Sequence, residues 1–69
     1  MKLPPVEQVA EEVHNAWIET KKEHGFLSRI SEDGEELMVA YDQLSEKAKD
    51  LDRNTVKAVY AAIKKLDKG

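Results

Sequence analysis

The sequence predicts a mainly α fold: a three-helix domain with an irregular or short hairpin segment between its first and second helices. Three observations carry that prediction. Apolar residues recur at steps of three and four near both ends of the chain, the pattern of amphipathic helices. Pro5 and Gly25 bracket the first such stretch as a helix start and stop. Asp33-Gly34 sits between apolar segments in the middle, a strong short-range hairpin signal.

Helix one is predicted over 5–24. Val6, Val9, Ala10, Val13, Ala16, Trp17 and Thr20 fall on one stripe. Glu7, Glu11 and Glu12 lie toward its start, and Lys21, Lys22 and His24 at its end, each suiting the helix dipole there. Met1 to Pro4 reads as a short extended lead.

The middle admits two readings. Phe26, Ile30, Leu37 and Val39 flank Ser31-Glu32-Asp33-Gly34, which fits a hairpin. Leu37, Tyr41, Leu44, Ala48 and Leu51 also share a helical stripe, so 35–51 fits one helix equally well. Periodicity alone does not choose between them.

Two more helices close the chain. Ser45 caps a short one over 46–50, and Asp52 caps another over 53–67, with Leu51 and Val56 spaced as a hydrophobic staple. Val56, Val59, Tyr60, Ile63 and Leu66 form its buried stripe, and Lys64, Lys65 and Lys68 complement its C-terminal dipole. The expected core is Val9, Val13, Trp17, Leu44, Val56, Tyr60 and Ile63.

Size and composition narrow the function. At 69 residues the chain is one domain, 1–69, of a size that buries only about 60% of its unfolded surface. Without cysteine it has neither disulfides nor thiolate zinc sites, and His14 and His24 alone do not make a structural metal site. Neither a metal nor a cofactor is expected. Such chains gain margin from tight helix packing or from self-association. A net charge of −3 with both signs interspersed lacks the basic stripe of a duplex nucleic-acid binder. The apolar runs are far shorter than the ~20 residues that span a bilayer. The opening MKLPPVEQ has no signal-peptide core, so a cytoplasmic location is expected. No nucleophile and base are paired in a recognisable motif, and Ser31 to Gly34 is too short for a calcium loop. The expectation is a protein that binds rather than catalyses.

One ordered set of residues carries a resemblance. His14 and Trp17 are followed by Lys21, then by Gly25-Phe26. Tyr41, Asp42 and Leu44 come next, and Lys49, Asp52, Arg53 and Thr55 close the set. In that order and spacing the chain resembles the RyR repeat of ryanodine receptors over about residues 9–66. It departs at Phe26, where the family usually has tryptophan. Its loop before Tyr41 is shorter and lacks the family's His-Pro, and Ala40 stands where proline is common. The resemblance favours extended chain up to about Ala40. It implies a stand-alone single repeat of bacterial or phage type, in a family with no known enzyme. Some members are thought to sense nucleotide-like ligands, stacking adenine between aromatics from two repeats.

The candidate ligand-binding residues follow from both readings. Phe26 is the stacking candidate by family position, and Tyr41 offers a second ring or a hydroxyl. Lys21 and Arg29 offer charge to phosphates. Arg53 sits at a helix start, where backbone N–H groups also favour anions, although a salt bridge to an acid such as Asp42 is the simpler role. His14 borders the apolar face as a donor or a satisfied structural histidine. Trp17 reads as core. The expected arrangement is a homodimer with a small nucleotide-like ligand near its axis; the alternative is a protein-interaction or assembly module without a small ligand.

Overall fold

The computed structural model describes residues 2–67, and Lys68, assigned above to the helix dipole, lies outside them. Two α-helices dominate: α1, Val6–Glu23, and α2, Glu46–Leu66. A single 3-10 turn, Tyr41–Gln43, lies between them. Among the described residues there is no strand, only an isolated antiparallel bridge between Ile30 and Glu36.

The start and stop of α1 follow the sequence closely. Pro5 flanks its first turn, and the Pro5 carbonyl accepts from Val9 N–H at 3.3 Å. At the other end Gly25 adopts φ +86°, a left-handed conformation that glycine reaches without a Cβ penalty. Phe26 N–H then donates to Lys21 O at 2.9 Å, and Gly25 N–H to Lys22 O at 3.0 Å. This crossed pair is a Schellman cap.

The middle segment is non-helical up to Ala40, with one hairpin-like turn, and is held by carboxylates. Gly34 turns the chain at φ +84°, and Leu37 N–H returns to Arg29 O at 2.8 Å. The Glu36 carboxylate gathers Ser28 Oγ–H, Arg29 N–H at 2.8 Å and Met38 N–H at 3.1 Å. The Glu35 carboxylate reaches across to Ser45, accepting from its N–H at 2.8 Å and its hydroxyl at 2.7 Å. Ser45 Oγ in turn accepts from Ala48 N–H at 3.2 Å and caps α2. Glu35 therefore does from the loop what the third residue of a helix does in a capping box.

The three-helix expectation is corrected here. The stretches 46–50 and 53–67 are one continuous helix, and Asp52 lies inside it rather than capping a third. No glycine or proline interrupts Glu46–Leu66, and an interior Asp or Asn costs only roughly 0.7 kcal/mol against alanine. Tertiary packing outweighs that cost. Ala48, Asp52, Val56 and Tyr60 recur every fourth residue, and Ala48, Val56 and Tyr60 belong to the core facing α1. The staple is absent too, since Leu51 is 65% exposed.

The core centres on Ala10, Tyr41, Leu44, Ala48 and Val56, with His14 buried among them. Leu44 and Val56 were expected there. Val9, Val13, Trp17, Tyr60 and Ile63 are half-buried instead. Ala10 and His14 on α1 meet Ala48 and Val56 on α2 in the buried centre with Tyr41 and Leu44, and half-buried Val9, Val13 and Tyr60 ring it. Arg53 ties the helices at their outer edge. Its Nε and Nη2 donate to both oxygens of Glu7 at 2.7 and 2.8 Å. Its Nη1 donates to Glu46 at 3.0 Å and to Asp50 at 2.8 Å.

Candidate functional site

Three residues of α1 point the same way. His14, Trp17 and Lys21 stand three and four residues apart, so they share one face of the helix. Opposite them α2 offers Ala48, Leu51 and Asp52, while Leu37, Leu44 and Arg29 come from the connecting segment. Together these side chains enclose a cleft of about 320 Å³. That volume lies at the low end for small-molecule sites, which are mostly apolar with a few placed polar groups.

His14 anchors one end. It is 3% exposed, and its Nε2–H donates to Val39 O at 2.7 Å. Its ring stacks on Trp17 with centroids 5.7 Å apart and planes inclined by 24°. Its Nδ1 stands 3.6 Å from Asp52 Oδ2, beyond good hydrogen-bond length. Burial raises the Asp52 carboxyl above its ordinary range, and only positive charge on the facing imidazole acts in the opposite direction.

Lys21 anchors the other end. Its ammonium lies 4.8 Å from the Phe26 ring centre and 5.9 Å from that of Trp17, within reach of both π faces. The Schellman cap explains the Phe26 contact, because the residue after the cap glycine meets the one three positions inside the helix end. Phe26 is 46% exposed, and Leu27 and Ile30 beside it are exposed as well. Among the described residues, no carboxylate lies within ion-pair distance of Lys21 or Arg29.

The candidate residues thus separate. His14, Lys21 and Arg29 meet at the cleft, and Phe26 flanks it through Lys21. Tyr41 is buried next to His14, with ring centres 6.2 Å apart, and its hydroxyl donates to Glu7 at 3.1 Å. Burial raises the Tyr41 phenol above its ordinary range. Arg53 lies away from the cleft and is already committed to Glu7, Glu46 and Asp50; Asp42 is not its partner. Among the cleft residues that the sequence did not assign to a site, Trp17 and Asp52 are the aromatic and the charged one. Trp17 read as core and Asp52 as a cap. The available signal was Asp52's place four residues from both Ala48 and Val56, an acid on an apolar stripe.

Among the described residues, no cluster of histidine and acidic side chains is placed to hold a metal ion, and no helix is long and apolar enough to cross a membrane. A paired-helix domain with a half-open, amphoteric cleft belongs to the class of small binding or interaction modules. The family comparison agrees with that class: the RyR domain matches residues 3–67. The chain is therefore a member of the RyR domain family, which points to binding or interaction. Comparisons with curated proteins and with solved structures gave no match.

Proposed function

We propose that this RyR domain is a non-enzymatic module that binds a small, flat, anionic ligand of nucleotide-like class in the cleft beside Trp17. The contrast between its two arginines carries the reading. Arg53 is surrounded by three carboxylates, whereas Arg29, at the cleft, meets none among the described residues. Lys21 stands beside the same opening with aromatic rings for neighbours. An anion there gains two cations without displacing an internal partner, and Trp17 supplies an apolar face for a ring system.

The same reading has the protein pair with itself through Phe26, Leu27 and Ile30, exposed apolar residues on the segment that also carries Arg29. A two-fold dimer through that tip sets two clefts near a shared axis. Sedimentation of the parent and of Leu27→Glu tests this part, and a parent that stays monomeric at high concentration overturns it.

Ligand binding has a direct test. Trp17 is the only tryptophan, so its emission reports the cleft alone. Nucleoside mono- and diphosphates are expected to change that emission and to raise the melting temperature. Stabilisation reaches about 2.7 kcal/mol at a hundred times Kd. Lys21→Ala and Arg29→Ala should each weaken binding and flatten its salt dependence, and Phe26→Ala should weaken it less. Unchanged emission and melting across the panel overturn the ligand reading in favour of a protein-interaction module.

A further inference from the structure

We propose that Asp52 is the specificity-determining residue of the cleft and selects ligands that present an N–H donor to it. This rests on the ligand reading above and adds the chemistry of the ligand's second end.

The geometry begins with His14. Its Nε2–H is spent on Val39 O at 2.7 Å. In the neutral ring Nδ1 is then a bare acceptor, and it is this nitrogen that faces Asp52 Oδ2 at 3.6 Å. Among the described residues, no N–H or O–H donates to the Asp52 carboxylate. Its side chain is nonetheless only 22% accessible, on the packed stripe of α2 and at the wall of the cleft. A partly desolvated carboxylate beside a bare nitrogen is an acceptor surface awaiting a donor. Oxygen-edged ligands meet lone pairs there and are disfavoured.

The two ends of the cleft are well separated. Lys21 follows His14 by seven residues on α1, about 10 Å along the helix axis. The carboxylate therefore marks one end and the ammonium the other. The ligand that fits both is amphoteric: an N–H-bearing edge at Asp52 and an anionic group about two helical turns away, with a flat apolar body between them over Trp17. Among nucleoside monophosphates, those with an exocyclic amino group meet this description better than those with a carbonyl in its place, whose one ring N–H lies beside carbonyl lone pairs that face the carboxylate.

Calorimetric titration with two matched pairs, cytidine against uridine monophosphate and adenosine against inosine monophosphate, tests this. The parent protein should prefer the amino member of each pair by about tenfold or more, as expected for a hydrogen bond to a charged group. Asp52→Asn has nearly the same shape, and its amide offers either a donor or an acceptor, so the preference should shrink to within about twofold. Equal affinity within both pairs in the parent overturns the inference and leaves the ligand reading standing. A preference that persists unchanged in Asp52→Asn overturns it as well. If no member of either pair binds the parent, both readings fall together. The parent comparison alone decides should the variant fail to fold.

Discussion

His14 on α1 is joined to Val39 on the connecting segment by one part-buried hydrogen bond, Nε2–H to the carbonyl oxygen at 2.7 Å. The bond links residues 25 apart and holds the connecting chain against the helix pair. His14→Phe keeps an aromatic ring, a somewhat larger one, and should cost more than that change in packing alone, because the Val39 carbonyl is left without its donor. A stranded buried group costs about 1–3 kcal/mol. In a domain of this size that lowers the melting temperature by roughly 5–20 °C. His14→Gln, whose amide reaches a similar point, should lose less. Thermal melts of the two variants check the ranking, and equal losses would show that packing rather than the hydrogen bond holds the segment.

Gly25 isolates a backbone effect. Its φ is +86°, and an added Cβ would meet nothing within 4 Å. Gly25→Ala should thus cost only the left-handed strain, about 1–2 kcal/mol, and Gly25→Asn less. The loss should be visible in the melting temperature while the Trp17 emission maximum stays in place. A shifted maximum would mean that the cap also sets the geometry of the cleft.

Acid should weaken the fold through three carboxylates that each organise a junction. Bonds from Arg53 hold the Glu7 carboxyl below its ordinary range, bonds from Ser45 do the same for Glu35, and bonds from Ser28 and nearby backbone N–H groups for Glu36. A carboxyl whose folded value is depressed stabilises the fold above its ordinary value and loses that contribution as pH falls through the folded one. Glu7→Gln, Glu35→Gln and Glu36→Gln should each melt below the parent at pH 7, and the gaps should close below about pH 4. Melts at a series of pH values measure this. A gap that stays constant with pH would assign the loss to shape rather than charge.

Those junctions also mark how far the sequence could be read. The first helix, its glycine stop and the helical character of 46–50 and 53–67 were legible, because periodicity and backbone chemistry are local properties; periodicity left the middle open, and only the family resemblance favoured a non-helical chain there. Glu35 and Glu36 were not legible. No local pattern singles them out, and only the returning chain brings Ser45 and Ser28 to them. Lys21 and Arg29 could be named as cations, but nothing local shows that they share an opening with His14. Arg53 was legible as a group seeking anions, and the fold supplies those anions from within. Trp17 was hidden by a general rule: a tryptophan on an apolar stripe belongs to the core, yet here His14, Tyr41, Leu44 and Val56 fill the centre with Ala10 and Ala48 and leave the indole at the edge.

Asp52 separates the local from the tertiary account of α2. As the cap of a separate helix, its replacement by alanine would cost about 0.5–2 kcal/mol. Inside a continuous helix the same change should stabilise the fold, since alanine is the better helix former and a partly buried charge is removed. Burial raises the folded-state value of the Asp52 carboxyl, the opposite of Glu7. A raised carboxyl penalises the fold fully when it is ionised in both states, and the penalty fades as pH falls through the raised value toward the ordinary one. Asp52→Ala should therefore melt above the parent at pH 8, with the advantage narrowing as the solution is acidified. His14, the titratable group in contact with Asp52, is controlled by repeating the series in a His14→Gln background. A variant that melts below the parent at pH 8 in both backgrounds would restore the cap and place a break in α2 at Leu51.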